Sequence, residues 1–340
     1  MINKKILCFV TQPNDAISWW RSTLPFQVLR TQFPGWVNYE FVNAKRTERT
    51  DWSVLGNYDA VFLHRLYNQK GLEIAQYAKD MGLPIWYEND DNLFCVPPSN
   101  PAFRTFNDPQ VKNTAAEIAK LADIISVTTP HLKQAYDFYC KDVRVIPNAL
   151  PDFYWHMETP PKKSEKLMVW RGSRTHDEDM ETVIRALCKI ATKKPDWKHL
   201  WIGDPPWKCQ ELMPHKAIKE GIRDLPKYFR FMRQLSGDIG YVPLANNPFN
   251  HSKSNIAWLE FSMMGAAVIA PKFPEWERPG ITNYNTEVEF YERLTFLADN
   301  ADLRAQLVQQ SRAYIEENLL LRRVNQLRLQ LLGDLCGVQG

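Results

Sequence analysis

Short apolar runs separated by amphipathic stretches make up most of this chain. Residues 6–10 form one such run, closed by Thr11, Gln12, Pro13 and Asn14. That pattern predicts a strand covered on both faces and followed by a loop. Residues 39–42, 60–63, 85–87, 124–127 and 143–146 repeat it. Helical patterns lie between these runs, over 71–79 and over 109–121. The second places Val111, Ala115, Ile118 and Ala119 on one face, and Pro109 suits its first turn, where no N–H is needed. A second alternation follows residue 164, with strands predicted over 167–170, 200–202, 239–242 and 267–270. A helix over 179–190 carries Met180, Val183, Ile184 and Leu187 at helical spacing. Another helix spans 254–264, and three more span 287–297, 303–315 and 319–332.

Two successive strand–helix alternations predict an α/β protein of two Rossmann-like, doubly wound parallel-sheet domains. The domains cover 1–150 and 165–316. The linker, 151–164, carries Pro151, Pro160, Pro161, Lys162, Lys163 and Ser164, a proline-rich and charged connection. Such sheets bind ligands in the crevice outside the carboxyl ends of their strands. The chemistry is therefore expected in loops that follow strands, facing an interdomain cleft.

Composition fits this division. A length of 340 residues with 44% hydrophobic residues suffices for two cores. The net charge of +3 neither demands nor excludes a polyanionic partner. Six scattered cysteines without a C-x-x-C pair suit free thiols in a reducing cytoplasm. The apolar stretch at the N-terminus is too short for a signal segment, and no stretch is long enough to span a bilayer.

Two strand-end loops of the second half stand out. Residues 252–254 (Ser-Lys-Ser) open a helix whose free N–H groups and dipole can hold a phosphate. Lys253 adds a charge there, Asn255 follows, and Glu260 lies two turns on, able to accept from ribose hydroxyls. An ordinary capped helix with surface Lys and Glu is the plain alternative. The other loop, after the strand at 167–170, reads Arg171-Gly172-Ser173-Arg174-Thr175-His176-Asp177-Glu178-Asp179. Gly172 permits close backbone approach, and Arg171 and Arg174 can clamp phosphate oxygens. A basic surface turn, or metal binding by His176 and Asp177, are the alternatives, and no metal is assigned.

The segment from Phe249 through Glu260 to Ala270 resembles the donor-site motif of GT-B glycosyltransferases of the retaining, glycogen-synthase-like group. In that group the helix start and a basic residue hold the nucleotide diphosphate, and the later glutamate of a Glu-x7-Glu pair binds the donor ribose. Glu260 matches the later glutamate; Ser252 stands where the earlier one would fall. The Gly172–His176 loop and the Phe-Asn-x-x-Lys-Ser form of the motif resemble a subgroup met in polysaccharide and phage gene clusters. The resemblance implies a metal-independent enzyme without a cofactor, taking a nucleotide-diphosphate sugar, a UDP-sugar, as substrate. It assigns Gly172, Ser173, Arg174, His176, Ser252, Ser254, Asn255 and Glu260 to the donor, and Arg171 and Lys253 to catalysis. In the first half, Trp20 and Arg21 resemble the family's small-aromatic-Arg loop, and His64 and Arg65 its strand-end arginine. Asp90 and Asp91 resemble its acidic stretch, and Asn148 its interdomain Pro-Asn. These are assigned to the acceptor side, with Asp90 and Asp91 orienting hydroxyls or acting as a base; an Asp-Asp turn is the alternative. The helix over 317–340 would cross back onto the first domain.

The implied function is transfer of a sugar to a hydroxyl acceptor with retention. Two alternatives remain at this level. One is glycosylation of a hydroxylated pyrimidine in DNA, suggested by Lys216, Lys219, Arg223, Lys227, Arg230 and Arg233 interleaved with Tyr228, Phe229 and Phe231. A solvated helical face with its apolar stripe buried is the plainer account of that stretch. The other is a non-catalytic nucleotide-sugar-binding protein.

Overall fold

The computed structural model describes residues 4–13, 15–44, 51–158 and 165–337. The expected linker residues Pro160 to Ser164 lie outside that range.

The first sheet contains β1 (Lys4–Val10), β2 (Val37–Asn43), β3 (Ala60–His64), β4 (Ile85–Asn89), β5 (Ile124–Val127) and β6 (Val143–Val145), in the order β2-β1-β3-β4-β5-β6. The second contains β7 (Lys166–Gly172), β8 (Trp197–Gly203), β9 (Lys216–Lys219), β10 (Ile239–Tyr241), β11 (Ala267–Pro271) and β12 (Ile281–Tyr284), in the order β12-β11-β10-β7-β8-β9. Neighbouring strands pair in parallel throughout. Helices cover both faces, so β3 and β11 are buried along their whole length. That double burial is why they appear as unbroken apolar runs rather than alternating ones. The chain reverses direction between β1 and β3 and again between β7 and β10, and the loops leaving these switch points face each other.

Some elements depart from the sequence pattern. β9 and β12 are edge strands. β9 reads Lys-Ala-Ile-Lys and is mostly exposed, so it shows no apolar run. The helix expected over 179–190 is split into Asp177–Glu181 and Ile184–Lys193. At the break Thr182 Oγ1 donates to Asp179 O (2.6 Å), a local bond that competes with the helical ladder. The helix expected from residue 254 begins at Ile256 and ends at Met264, where Gly265 (φ 82°) caps it in the left-handed conformation. It is buried nearly all round, as befits a central helix.

The basic stretch over 216–233 is helical in part only, and that part buries its apolar stripe, Leu225, Phe229 and Met232, while Lys227 and Arg230 are exposed. Lys216 and Lys219 sit on β9, and only Leu225–Gln234 is helical. Phe229 is fully buried, between Trp19 and Trp20 of the first domain and Tyr154. Arg233 is buried too, donating to Met157 O and Met263 O. Residues 152–155 of the expected linker form a short helix that buries Tyr154 and Trp155. Beyond it, Leu150 pairs with Leu320, and the Leu321–Leu335 helix lies on the Leu24–Gln32 helix of the first domain, with Asn325 Nδ2 donating to Pro25 O (3.0 Å).

Candidate active site

A cavity of about 610 Å³ lies between the two sheets at the carboxyl ends of their strands, within the range of small-molecule sites. Its walls come from the two odd loops of the second domain and from strand-end loops of the first.

Residues 252–254 lie in a loop between a short helix, Pro248–His251, and the Ile256–Met264 helix. The helices that start after Asn68, Asp108, Thr129, Asp224, Asn247 and Thr286 are each capped by that side chain. Asn255 gives its helix no such cap; its Nδ2 donates to Glu275 O (3.3 Å). The N–H groups of Ile256 and Ala257 therefore have no side-chain cap, and the first turn leaves them no helical partner. Both residues line the cavity, as do Lys253 and Ser254. The result is a helix start arranged to receive an anion.

Arg171 leaves the end of β7 and places Nε 2.6 Å from Glu260 Oε2. Tyr228 donates to the same oxygen (2.9 Å). Burial raises the Glu260 carboxyl, with Arg171 and Tyr228 opposing. Arg171 Nη2 is buried without a hydrogen-bond partner among the described residues. Unmet donors of this kind call for a ligand or water.

Asp179 ties the two loops together. Its Oδ1 accepts from the Ala245 N–H (2.8 Å) and Asn250 Nδ2 (2.6 Å), while Oδ2 lies 2.7 Å from His176 Nδ1 and 4.0 Å from Lys253 Nζ. Burial favours the protonated acid, but the His176 hydrogen bond and the Lys253 charge outweigh it and hold the carboxyl below its usual range. Gly172 and Gly203 are neighbours at the ends of β7 and β8, and both line the cavity. A side chain on Gly203 (φ 111°) would stand 2.0 Å from Gly172 O, so only glycine permits this approach.

The first-domain wall carries two charge networks. Arg65 follows β3 in the left-handed region (φ 52°), uncommon for a non-glycine residue and a mark of a constrained site. Its Nη1 lies 2.7 Å from Asp90 Oδ1 and 3.2 Å from Asp91 Oδ2. Burial and then Asp90 raise the Asp91 carboxyl, with Arg65 and Lys253 opposing. Deeper in, Arg21 pairs with Glu88 (2.7 Å), both almost completely buried. Arg21 Nη1 donates to Asn148 Oδ1 (3.0 Å), and Asn148 Nδ2 donates to Ser254 Oγ (2.8 Å). This relay joins the first domain to the loop over 252–254. Thr129 Oγ1 adds a bond to Ser252 O (3.0 Å). Arg21 is aimed by a π-helical turn, Trp19–Thr23, formed where the Ser22 and Thr23 hydroxyls both donate to Ser18 O.

Of the residues singled out from sequence, the cavity brings together Trp20, Arg21, Arg65, Asp90, Asp91, Asn148, Arg171, Gly172, Ser173, His176, Lys253, Ser254 and Glu260. Four lie elsewhere. Arg174 is more than half exposed and pairs with Asp204 (2.8 Å). Ser252 and Asn255 are buried within their loop. His64 is buried 3.4 Å from Ser22 Oγ, and burial, Arg65 and Arg21 keep it well below the usual histidine range. Sequence reasoning gave no site role to Asp179, Glu88, Tyr228 or Gly203. Asp179 stood in the loop singled out, three residues after His176, and Glu88 stood directly after the apolar run over 85–87. Gly203 had no such signal.

Two Rossmann-like domains facing one such cleft constitute the GT-B fold. Solved structures share it across almost the whole chain. Sucrose-phosphate synthase from Thermosynechococcus elongatus matches with a TM-score of 0.72 at 14% identity, covering 98% of this chain and 99% of that one. HepE of Anabaena, in complex with UDP and glucose, matches with a TM-score of 0.68 at 14% identity, covering 97% and 99%. A Listeria monocytogenes protein described as a UDP-N-acetylglucosamine 2-epimerase matches with a TM-score of 0.62 at 12% identity, covering 98% and 96%. At these identities the likeness is one of fold. No family model matches the sequence, and no curated protein matches it. Among the described residues, no helix is long and apolar enough to cross a membrane.

Proposed function

We propose that this chain is a glycosyltransferase that moves a sugar from a nucleotide-diphosphate sugar, a UDP-sugar, to a hydroxyl acceptor with retention of configuration. The observation that carries this reading is the uncapped start of the Ile256–Met264 helix, flanked by Lys253 and Arg171, opening into a cleft whose opposite wall presents Asp90 and Asp91. The cationic side suits a diphosphate and the acidic side suits hydroxyls. The UDP and glucose bound to HepE, a protein of the same fold, support a nucleotide sugar as the ligand class.

The bond between the sugar's anomeric carbon and the phosphate oxygen breaks, and its electron pair stays on the diphosphate. Lys253, Arg171 and the helix N–H groups meet that growing charge. The acceptor hydroxyl forms the new bond on the face the diphosphate leaves, and its proton passes to a departing phosphate oxygen. No side chain becomes a covalent nucleophile. Asp90 and Asp91, fixed by Arg65, orient the acceptor hydroxyl. A saccharide acceptor is favoured over DNA, because Phe229 and Arg233 of the basic stretch are packed inside the protein.

Glu260 is assigned the donor ribose, held in place by Arg171 and Tyr228. Glu260→Ala is expected to raise the donor KM about tenfold, the worth of one lost hydrogen bond to a charged group, with a smaller change in kcat. Steady-state kinetics with UDP-glucose and UDP-N-acetylglucosamine as donors check this, and an unchanged KM removes Glu260 from the donor site. The same assay on wild-type protein, with saccharides and hydroxymethylated DNA as acceptors, tests the activity. Binding without transfer, hydrolysis or epimerisation of any donor would leave the non-catalytic reading.

A further inference from the structure

The His176–Asp179 pair leaves the second ring nitrogen, Nε2, without a hydrogen bond among the described residues. Asp179 Oδ2 lies 2.7 Å from His176 Nδ1. With Asp179 ionised, Nδ1 must carry the proton, and a neutral ring keeps its lone pair on Nε2. Three charged groups bear on the ring. After burial, Lys253 and Arg171 push it below the usual histidine range, and Asp179 opposes them. Those influences together favour the neutral ring. Its orientation is fixed by Asp179 on one side and by the Trp170 indole, which meets it edge-on at 6.4 Å. His176 lines the cavity, and among the described residues its ring is hydrogen-bonded through Nδ1 alone.

A lone pair cannot bind a diphosphate oxygen, which carries no proton at neutral pH. It needs a hydroxyl donor. The diphosphate already has Lys253, Arg171 and the helix start, all close to the ring. From this arrangement we infer that His176 Nε2 accepts a hydrogen bond from a hydroxyl of the transferred sugar, making His176 a donor-sugar specificity residue and Asp179 the residue that positions it. The inference rests on the glycosyltransferase reading above and names the part of the donor that this dyad contacts.

The test is the ratio of two dissociation constants, for UDP-glucose (or UDP-N-acetylglucosamine) and for UDP alone, measured by calorimetry. In His176→Phe the ratio should rise at least fivefold, with the UDP constant itself within twofold of wild type. Asp179→Asn gives an independent check. Its oxygen can keep the Ala245 and Asn250 bonds, while its amide donates to Nδ1 and moves the ring proton to Nε2. The same rise in ratio is expected, a change that general loosening of the loop would not produce. An unchanged ratio in both variants, or weakening of UDP equal to that of the UDP-sugar, overturns the inference and makes His176 a structural or phosphate-side residue. Wild-type protein that binds neither compound overturns the glycosyltransferase reading with it.

Discussion

Lys253→Ala is expected to cut sugar transfer by about a thousandfold, the upper range for losing one preorganised donor aimed at developing charge. The Lys253 side chain is only 16% exposed. Its ammonium stands 5.1 Å over the Phe249 ring and 4.0 Å from Asp179 Oδ2, so it is held at the mouth of the helix with Asp179 at the outer limit of ion-pair distance. That position suits an anion that gains charge in the transition state. The fold does not depend on it, because Asp179 retains His176, Ala245 and Asn250 as partners. Thermal unfolding should therefore move by only a few degrees while kcat falls. Turnover within a few-fold of wild type would remove Lys253 from catalysis.

Glu88→Ala is expected to destabilise the first domain by about 3–5 kcal/mol, because it leaves buried positive charge without its partner. Glu88 is fully buried on β4, paired with Arg21, and accepts a hydrogen bond from Ser126. Arg328, reaching in from the last helix, is also buried. Burial, then Arg21, push its guanidinium down to about 9, and only Glu88 opposes them. Removing Glu88 sets two arginines against each other inside a core. Calorimetry should show the melting temperature falling by about 10 °C, at roughly 2–4 °C per kcal/mol for a domain of this size. The double variant Arg21→Met/Glu88→Met should recover most of that loss, since paired removal of buried ions is close to neutral. Its transfer activity should stay low, because the Arg21–Asn148–Ser254 relay is gone. A melting temperature unchanged in Glu88→Ala would show that the arginines are solvated.

Much of this architecture was legible in the sequence for one physical reason. Parallel strands covered on both faces are mostly apolar, so β1, β3 and β11 announce themselves as runs of apolar residues. The edge strands β9 and β12 bury less, and carry Lys, Thr and Asn where central strands carry Val and Ile. For that reason they escaped the pattern. That Lys253, Ser254 and Glu260 meet at the cavity was legible because a helix start, a lysine and a glutamate two turns on are local in sequence. The dyad and the Arg21–Glu88–Arg328 network were less so, because their meaning depends on partners brought together from distant segments. Arg233 shows the opposite case: a basic residue in a stretch that reads as a solvated face, it is buried and donates to Met157 O and Met263 O, while Phe229, on the apolar stripe, packs against Trp19, Trp20 and Tyr154.

The central claim is that a nucleotide's diphosphate sits at the amino end of the Ile256–Met264 helix. A crystal structure of the chain grown with UDP tests it most directly. The expected result places phosphate oxygens within hydrogen-bond distance of the Ile256 and Ala257 N–H groups and of Lys253 Nζ, with Arg171 Nη2 taking a ligand oxygen. Diphosphate density held anywhere else, with that helix end facing only water, would contradict the account.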